Sequence, residues 1–193
     1  MDYLNSQQLT RLDGYFRRFM TKGDYSWGIG NLGTFAVHVK PATGGKPQQT
    51  DIKLTFDPSS NMYVPSQTDV TIHETDYVLW HIESTVATAP TVAIVGNGPV
   101  PFNSRLLTDE DAFSHFFMLP GVYKYVSSGG AGGPQAGTIN VAAPPPSPPK
   151  PQAIVVSISD GKPPAPDPVS INSGDTIHWD IVKSQGCIIR SAS

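Results

Sequence analysis

The feature that most constrains this chain is a block of alternating apolar residues that occurs twice. Residues 70–82, Val-Thr-Ile-His-Glu-Thr-Asp-Tyr-Val-Leu-Trp-His-Ile, align without a gap on residues 169–181, Val-Ser-Ile-Asn-Ser-Gly-Asp-Thr-Ile-His-Trp-Asp-Ile, at a constant offset of 99 residues. In each copy a polar turn separates two runs of period two, which predicts strand, tight turn and strand. A repeat of this length indicates domain duplication, because solenoid repeats span only about 20–50 residues.

Proline marks the boundary between the predicted domains. Residues 143–152 are rich in proline, which favours an extended polyproline conformation and predicts a semi-rigid linker. We therefore predict a complete β domain over residues 51–142 and a partial second copy over residues 153–193. The partial copy has no later strands of its own, so we expect it to be completed by a neighbouring subunit, to be poorly ordered, or to be truncated.

Residues 1–50 are predicted to form an N-terminal helix and a connecting segment. Apolar side chains recur at i, i+3 and i+4 over residues 5–22, and Gly23 suits a helix C-terminus. Such an amphipathic helix packs on its own domain, docks on a partner or lies on a membrane surface. For docking, the candidate interaction residues are Leu9, Leu12, Phe16, Phe19, Arg17 and Arg18.

Short strand patterns punctuated by turns fill the rest of residues 91–141, which predicts a mainly β fold, an antiparallel sandwich or small barrel. Residues 28–33, Gly-Ile-Gly-Asn-Leu-Gly, have the spacing of a dinucleotide-binding fingerprint. That motif functions between a strand and a following helix, whereas here a strand-like run follows it. We interpret these residues as a loop.

Two stretches resemble the cupredoxin family. Residues 70–80 are similar to the family's strand pair that leads to a buried tryptophan, and residues 113–125, Phe-Ser-His-Phe-Phe-Met-Leu-Pro-Gly-Val-Tyr-Lys-Tyr, are similar to the stretch that enters its metal loop. The resemblance covers residues 51–142 fully and residues 153–193 in part. It implies a Greek-key β-sandwich, preceded here by the predicted helix and followed by the proline-rich linker and the partial second domain.

The family's copper ligands, two histidines, a cysteine and a methionine, are missing from the places where the resemblance implies them. Residues 126–136 contain no Cys, His or Met, so the thiolate that defines a blue-copper site is absent there. The remaining candidates for an unconventional site are His81, His178 and Cys187. We predict no metal and no cofactor, and we interpret His73 and His115 as structural.

Composition and motifs exclude several functions. The 13 Lys and Arg against 16 Asp and Glu give a net charge of −3, which argues against nucleic acid as a partner. No secretory signal or membrane-spanning stretch is recognised, so we expect a cytoplasmic protein or one in an assembly released without such a signal. Catalytic motifs are also missing.

We predict a non-catalytic structural or interaction protein that self-associates or binds a protein partner. The alternatives are an electron-transfer protein with unconventional copper ligands and, more weakly, a glycan- or peptide-binding module using Tyr123 and Tyr125.

Overall fold

Strands make up the regular structure of the described part of the chain, which comprises residues 6–29, 32–83, 86, 89–99, 102–129, 132–147 and 150–192 of a computed structural model. The prediction of a mainly β protein is therefore confirmed. No helix in these residues is long and apolar enough to cross a membrane. The chain divides into an N-terminal unit, Gln8–Arg105, and a C-terminal unit, Leu106–Ser193 together with Met1–Gln7.

The N-terminal unit is built from two sheets. One has the strand order β1-β7-β4-β5 and the other the order β6-β3-β2-β8-β9. Most neighbouring strands are antiparallel, but β4 pairs parallel with β7 and β3 pairs parallel with β6. The strands are β1 (Asp13–Arg18), β2 (Gly23–Ile29), β3 (Leu32–Lys40), β4 (Gln49–Asp57), β5 (Met62–Pro65), β6 (Asp69–His73), β7 (Tyr77–Ile82), β8 (Ile94–Asn97) and β9 (Phe102–Asn103).

Aromatic side chains from three strands form the centre of this unit. Trp80 of β7 is fully buried, stacks on Tyr15 of β1 at 5.7 Å between ring centroids, and meets Trp27 of β2 edge-on at 5.4 Å. Every second residue of β7 is buried, since successive side chains of a strand point to opposite faces. The alternating sequence of the repeated block therefore becomes one buried face.

The C-terminal unit has the same plan. One sheet has the order β14-β16-β11 and the other the order β10-β17-β12-β13-β15. Again two pairs are parallel, β14 with β16 and β13 with β15. The strands are β10 (Leu107–Thr108), β11 (Asp111–Phe116), β12 (Gly121–Ser128), β13 (Gln135–Ala142), β14 (Ala153–Ile158), β15 (Val169–Asn172), β16 (Thr176–Ile181) and β17 (Gln185–Ser191).

The aromatic core is also repeated. Trp179 of β16 is fully buried, stacks on Phe113 of β11 at 5.4 Å and meets Tyr125 of β12 edge-on at 5.3 Å. The start of the chain belongs to this unit, where Ser6 and Ile189 of β17 exchange backbone and hydroxyl hydrogen bonds of 2.9 and 3.1 Å. The unit is thus assembled from two separate stretches of sequence.

Residues 153–192 do not form the open half-sandwich that the sequence led us to expect. Their strands pair within the same chain, β16 with β11, β17 with β12 and β15 with β13. Strands β1, β2 and β3 supply the equivalent partners in the N-terminal unit. In each unit, the first half, strands β1–β3 or β11–β13, therefore pairs with the half that follows it, which contains Trp80 or Trp179.

The helix predicted over residues 5–22 is wrong: the described residues 6–22 contain β1 and turns instead. Within β1 the buried core positions follow a period of two, with Asp13, Tyr15 and Arg17 on the inner face. Phe19 continues the pattern and exchanges backbone hydrogen bonds with Thr75 and Asp76. Neighbouring apolar residues at 12, 16 and 20 gave a helical spacing, but pairing with β7 decided the conformation.

The units of the structure also divide the chain differently from the predicted domains 51–142 and 153–193. The division falls between Arg105 and Leu106, because strands β1–β3, which precede residue 50, complete the N-terminal unit. Residues 143–147 and 150–152 are exposed and lie outside the strands. The proline-rich segment thus lies inside the C-terminal unit, between β13 and β14.

Candidate functional site

Because the fold is duplicated, comparing the two units distinguishes residues that serve the shared fold from candidate functional residues. A polar group found buried at the same place in both units has a role in the shared fold, whereas one found in a single unit needs another explanation. The buried Asp76 illustrates the first class: its carboxylate accepts hydrogen bonds from the backbone N–H groups of Gln48 and His73 at 2.8 and 2.9 Å. Asp175 does the same for Gln152 and Asn172 at 2.8 and 2.9 Å.

Other buried polar groups repeat as closely. Asp13 accepts hydrogen bonds from the backbone and hydroxyl of Thr10, and Asp111 accepts the same two from Thr108. A buried acceptor without a partner costs about 1–3 kcal/mol, so such bonds are needed for folding alone. These carboxylates, which are the buried ones in the described residues, therefore serve as scaffold.

The residues predicted for docking do not form a shared exposed surface. Leu9, Arg17 and Phe19 are buried to 2% exposure or less inside the N-terminal unit, and Leu9 forms a backbone bridge with Val92. On the opposite face of β1, Phe16 and Arg18 are half-buried, as is Leu12 before the strand. Arg18 stacks over the ring of Tyr77 at 5.5 Å. A shared docking surface required these side chains to lie along one face of a helix, which this segment does not form.

The three metal candidates lie in different environments. His81 has its Nδ1 3.9 Å from Glu83 Oε1. In β16, His178 is on the face opposite to the core-facing Trp179, and burial lowers its pKa. Cys187 is buried inside the C-terminal unit, and this burial, with the charge of Asp160, raises the pKa of its thiol to about 12.

His178 and Cys187 are thus separated by a sheet, because one points away from the core and the other into it. Within the described residues, no group of three His, Cys, Asp or Glu side chains is arranged to hold a metal ion.

An open cavity of about 590 Å³ lies on the N-terminal unit, lined by residues of β2, β3 and β8 and by Gly98. Polar and aromatic side chains share its walls. The antiparallel pairing of β2 with β3 places Asp24 opposite His38 and Ser26 opposite Ala36, while β8 brings Asn97 beside Ser26. Small residues on this part of the sheet leave the space open. The lining residues are Asp24, Tyr25, Ser26, Thr34, Phe35, Ala36, His38, Asn97 and Gly98.

His38 lies between two carboxylates at the edge of this cavity. Its Nδ1 is 2.6 Å from Asp24 Oδ1, and its Nε2 is 3.5 Å from Asp69 Oδ1 on the adjacent β6. The hydrogen bond to Asp24 and the charges of Asp69 and Asp24 raise the pKa of the imidazole above its usual value. The two carboxylates therefore favour the protonated form of His38, and both remain open to solvent.

The C-terminal unit lacks this trio. Strand pairing makes Val122 and Asn140 the counterparts of Asp24 and His38, and Pro168 the counterpart of Asp69. The fold therefore does not require the trio. The sequence does not indicate this trio, because its residues lie on three separate strands; the pairing of Asp24 with His38 becomes predictable only once residues 23–40 are interpreted as a hairpin.

The glycine-rich residues 28–33 lie across the β2–β3 hairpin, with Ile29 opposite Leu32. Gly30 and Asn31 fall outside the described residues. No helix follows the motif, since β3 begins at Leu32, so it lacks the strand-to-helix geometry on which pyrophosphate binding depends.

Comparisons with known protein families, with curated proteins and with solved structures each returned no match.

Proposed function

We propose that this protein is a non-catalytic structural or interaction protein whose cupredoxin-like β-sandwich units act in assembly or display. The observation that supports this most is the hydrogen bonding of the buried carboxylates. Asp76 and Asp175, in matched positions, each accept hydrogen bonds from two backbone N–H groups. Carboxylates engaged in this way with backbone N–H groups hold the loops together, so the shared fold by itself accounts for their burial. The exposed faces of the two units also differ, since Asp24 and His38 of one unit stand where the other has Val122 and Asn140, and partners bind at such exposed positions.

The resemblance to cupredoxins supports a rigid scaffold but not copper chemistry. A blue-copper site needs two imidazoles and a thiolate around one ion. Cys187 points into the core of the C-terminal unit and its pKa is raised to about 12, while His178 lies on the other face of its sheet. These residues do not fit the metal, so we derive no electron-transfer step for this chain.

Measuring molar mass by light scattering after size-exclusion chromatography tests the proposal. We expect the full chain to self-associate reversibly as its concentration rises, and elemental analysis of protein purified after exposure to copper to find far less than one copper per chain. A strictly monomeric protein would remove the support for self-assembly. Near-stoichiometric copper that is lost in Cys187→Ser would instead favour the electron-transfer alternative.

A second candidate function, binding of a glycan, is favoured by the cavity beside His38. Tyr123 and Tyr125, which the sequence suggested as ligand-binding residues, are buried to 5% exposure or less and cannot face a ligand. Asp24, Asn97 and His38 instead line the open cavity and offer hydrogen-bonding groups to hydroxyls. Saturation-transfer NMR with a panel of oligosaccharides is the test: signals for one member that vanish in Asp24→Ala/His38→Ala support it, and their persistence contradicts it.

A further inference from the structure

One edge of the C-terminal unit is left open by the fold. Strand β14 pairs with β16 on one side, using the backbone groups of its even-numbered residues, as the bond from Val182 N–H to the Ile158 carbonyl shows. On its other side, the pairing that the structure describes is the bridge between Ser157 and Ala165. The N–H and C=O groups of Ala153 and Val155 therefore point outward along an edge that no other strand of the described residues pairs with.

The N-terminal unit covers the same edge. Strand β4, the counterpart of β14, pairs with β5 beyond Leu54, and Ser66 bonds to both backbone groups of Lys53. Nearer its start, the side chain of Gln67 donates to the Asp51 carbonyl at 2.9 Å. At the position of Gln67 the C-terminal unit has Pro166, which has no amide side chain. Exposed edges invite pairing with other strands, and proteins commonly block them in such ways.

We propose that the open edge of β14 is an interface with a second copy of this chain, in which two β14 strands pair antiparallel about a two-fold axis at Ile154. This inference rests on the proposed function and names the surface that it uses. In this register Ala153 of one copy faces Val155 of the other, twice, so the outward N–H and C=O groups of both residues are all paired. A register centred on Val155 would place Ala153 against Ser157, whose edge groups Ala165 already occupies.

The sequence of the strand suits a copy of itself. Residues 153–158, Ala-Ile-Val-Val-Ser-Ile, carry no charge and are rich in β-branched side chains, so like charges do not meet across the two-fold axis. Val155 is 52% exposed and gains burial on pairing. Pro151 has no N–H, and Ala165 covers Ser157, so the paired segment stops at both ends. A closed two-fold pair results, not an extended fibre.

A charge-swap experiment tests both the edge and its register. In Ala153→Lys/Val155→Lys, lysines face each other across the axis; in Ala153→Glu/Val155→Lys, each lysine faces a glutamate. Both positions are exposed, so folding is expected to survive and is checked by circular dichroism. We expect the double-lysine variant to weaken dimerisation at least tenfold, and the Glu/Lys variant to restore it at low salt. Val64→Lys on the exposed β5 serves as the control and should leave the dimer unchanged.

Sedimentation velocity from about 10 µM to about 1 mM, which covers weak association, gives the readout. If wild type associates and both double variants match it, another surface mediates assembly: the edge is wrong, but the proposed function stands. If both double variants dissociate equally, the register centred on Ile154 is wrong. A wild type that stays monomeric throughout overturns this interface and the proposed self-assembly together, while glycan binding, measured separately, is unaffected.

Discussion

At the scale of single residues, His38 is the side chain whose chemistry is most clearly set by its neighbours. The closer carboxylate is Asp24, at 2.6 Å from Nδ1, whereas Asp69 is 3.5 Å from Nε2. We therefore expect Asp24→Asn to lower the pKa of His38 towards its ordinary value by more than Asp69→Asn does. Titration of the imidazole C–H signals by NMR measures both shifts, and equal effects would contradict the assigned geometry.

The same contacts predict how pH affects stability at this site. Both carboxylates favour the protonated imidazole, which raises the pKa of His38 in the folded protein. The contribution to stability is therefore fully present below the unfolded pKa, about 6.5, and is lost as pH rises through the higher folded pKa. Chemical denaturation at a series of pH values should show this loss in wild type and not in His38→Gln.

Gly137 is a second residue whose identity the packing determines. An added Cβ would overlap the ring of Tyr125, which is fully buried. Overpacking of this kind costs roughly 1–3 kcal/mol, so we expect Gly137→Ala to lower the free energy of unfolding by that amount. Gly45→Ala, where the nearest atom is 3.8 Å away, should change it by less than about 0.5 kcal/mol. Urea denaturation of both variants is the measurement.

At the scale of elements, the turn before each tryptophan strand depends on one carboxylate. Asp175 joins the start of β14 to the end of β15 through the backbone N–H groups of Gln152 and Asn172. We expect Asp175→Ala to destabilise the protein by about 2–4 kcal/mol, because two N–H donors lose a charged acceptor. Asp175→Asn keeps one acceptor oxygen and should cost less. Equal unfolding free energies for the two variants would show that the carboxylate does not fasten these strands.

Element identity was only partly predictable from sequence. The strands around Trp80 and Trp179 follow a clear period of two, and the structure places them as predicted. Residues 5–22 fitted a helical spacing, because the half-buried Leu12 and Phe16 stand among the buried Leu9, Tyr15 and Phe19 along the sequence. A local pattern cannot distinguish a helix from a strand here. A second match between the units could have indicated a strand, because three aromatic residues recur at an offset of 98 residues. They are Tyr15, Phe19 and Tyr25, matched by Phe113, Phe117 and Tyr123.

At the scale of the whole molecule, the pairing of halves is the least local property. Phe113 stacks on Trp179, which follows it, and lies in a different unit from Trp80, which precedes it. A double-mutant cycle on unfolding free energy should give a coupling of about 0.5–1.5 kcal/mol for Phe113→Leu with Trp179→Phe. The pair Phe113→Leu with Trp80→Phe should show none. The reverse result would mean that residues 51–142 pair as the continuous domain that the sequence predicts.

What the sequence by itself determined is the β class, the duplication and the two central tryptophans, because alternation of apolar residues is a property of short segments. The tertiary structure decided which half pairs with which, the conformation of residues 6–22 and the meeting of Asp24, His38 and Asp69. The matching halves of the two units present nearly the same apolar surfaces, so the local pattern is compatible with the strands around Trp80 pairing with either β1 or β11. Only the contacts made between distant segments distinguish them.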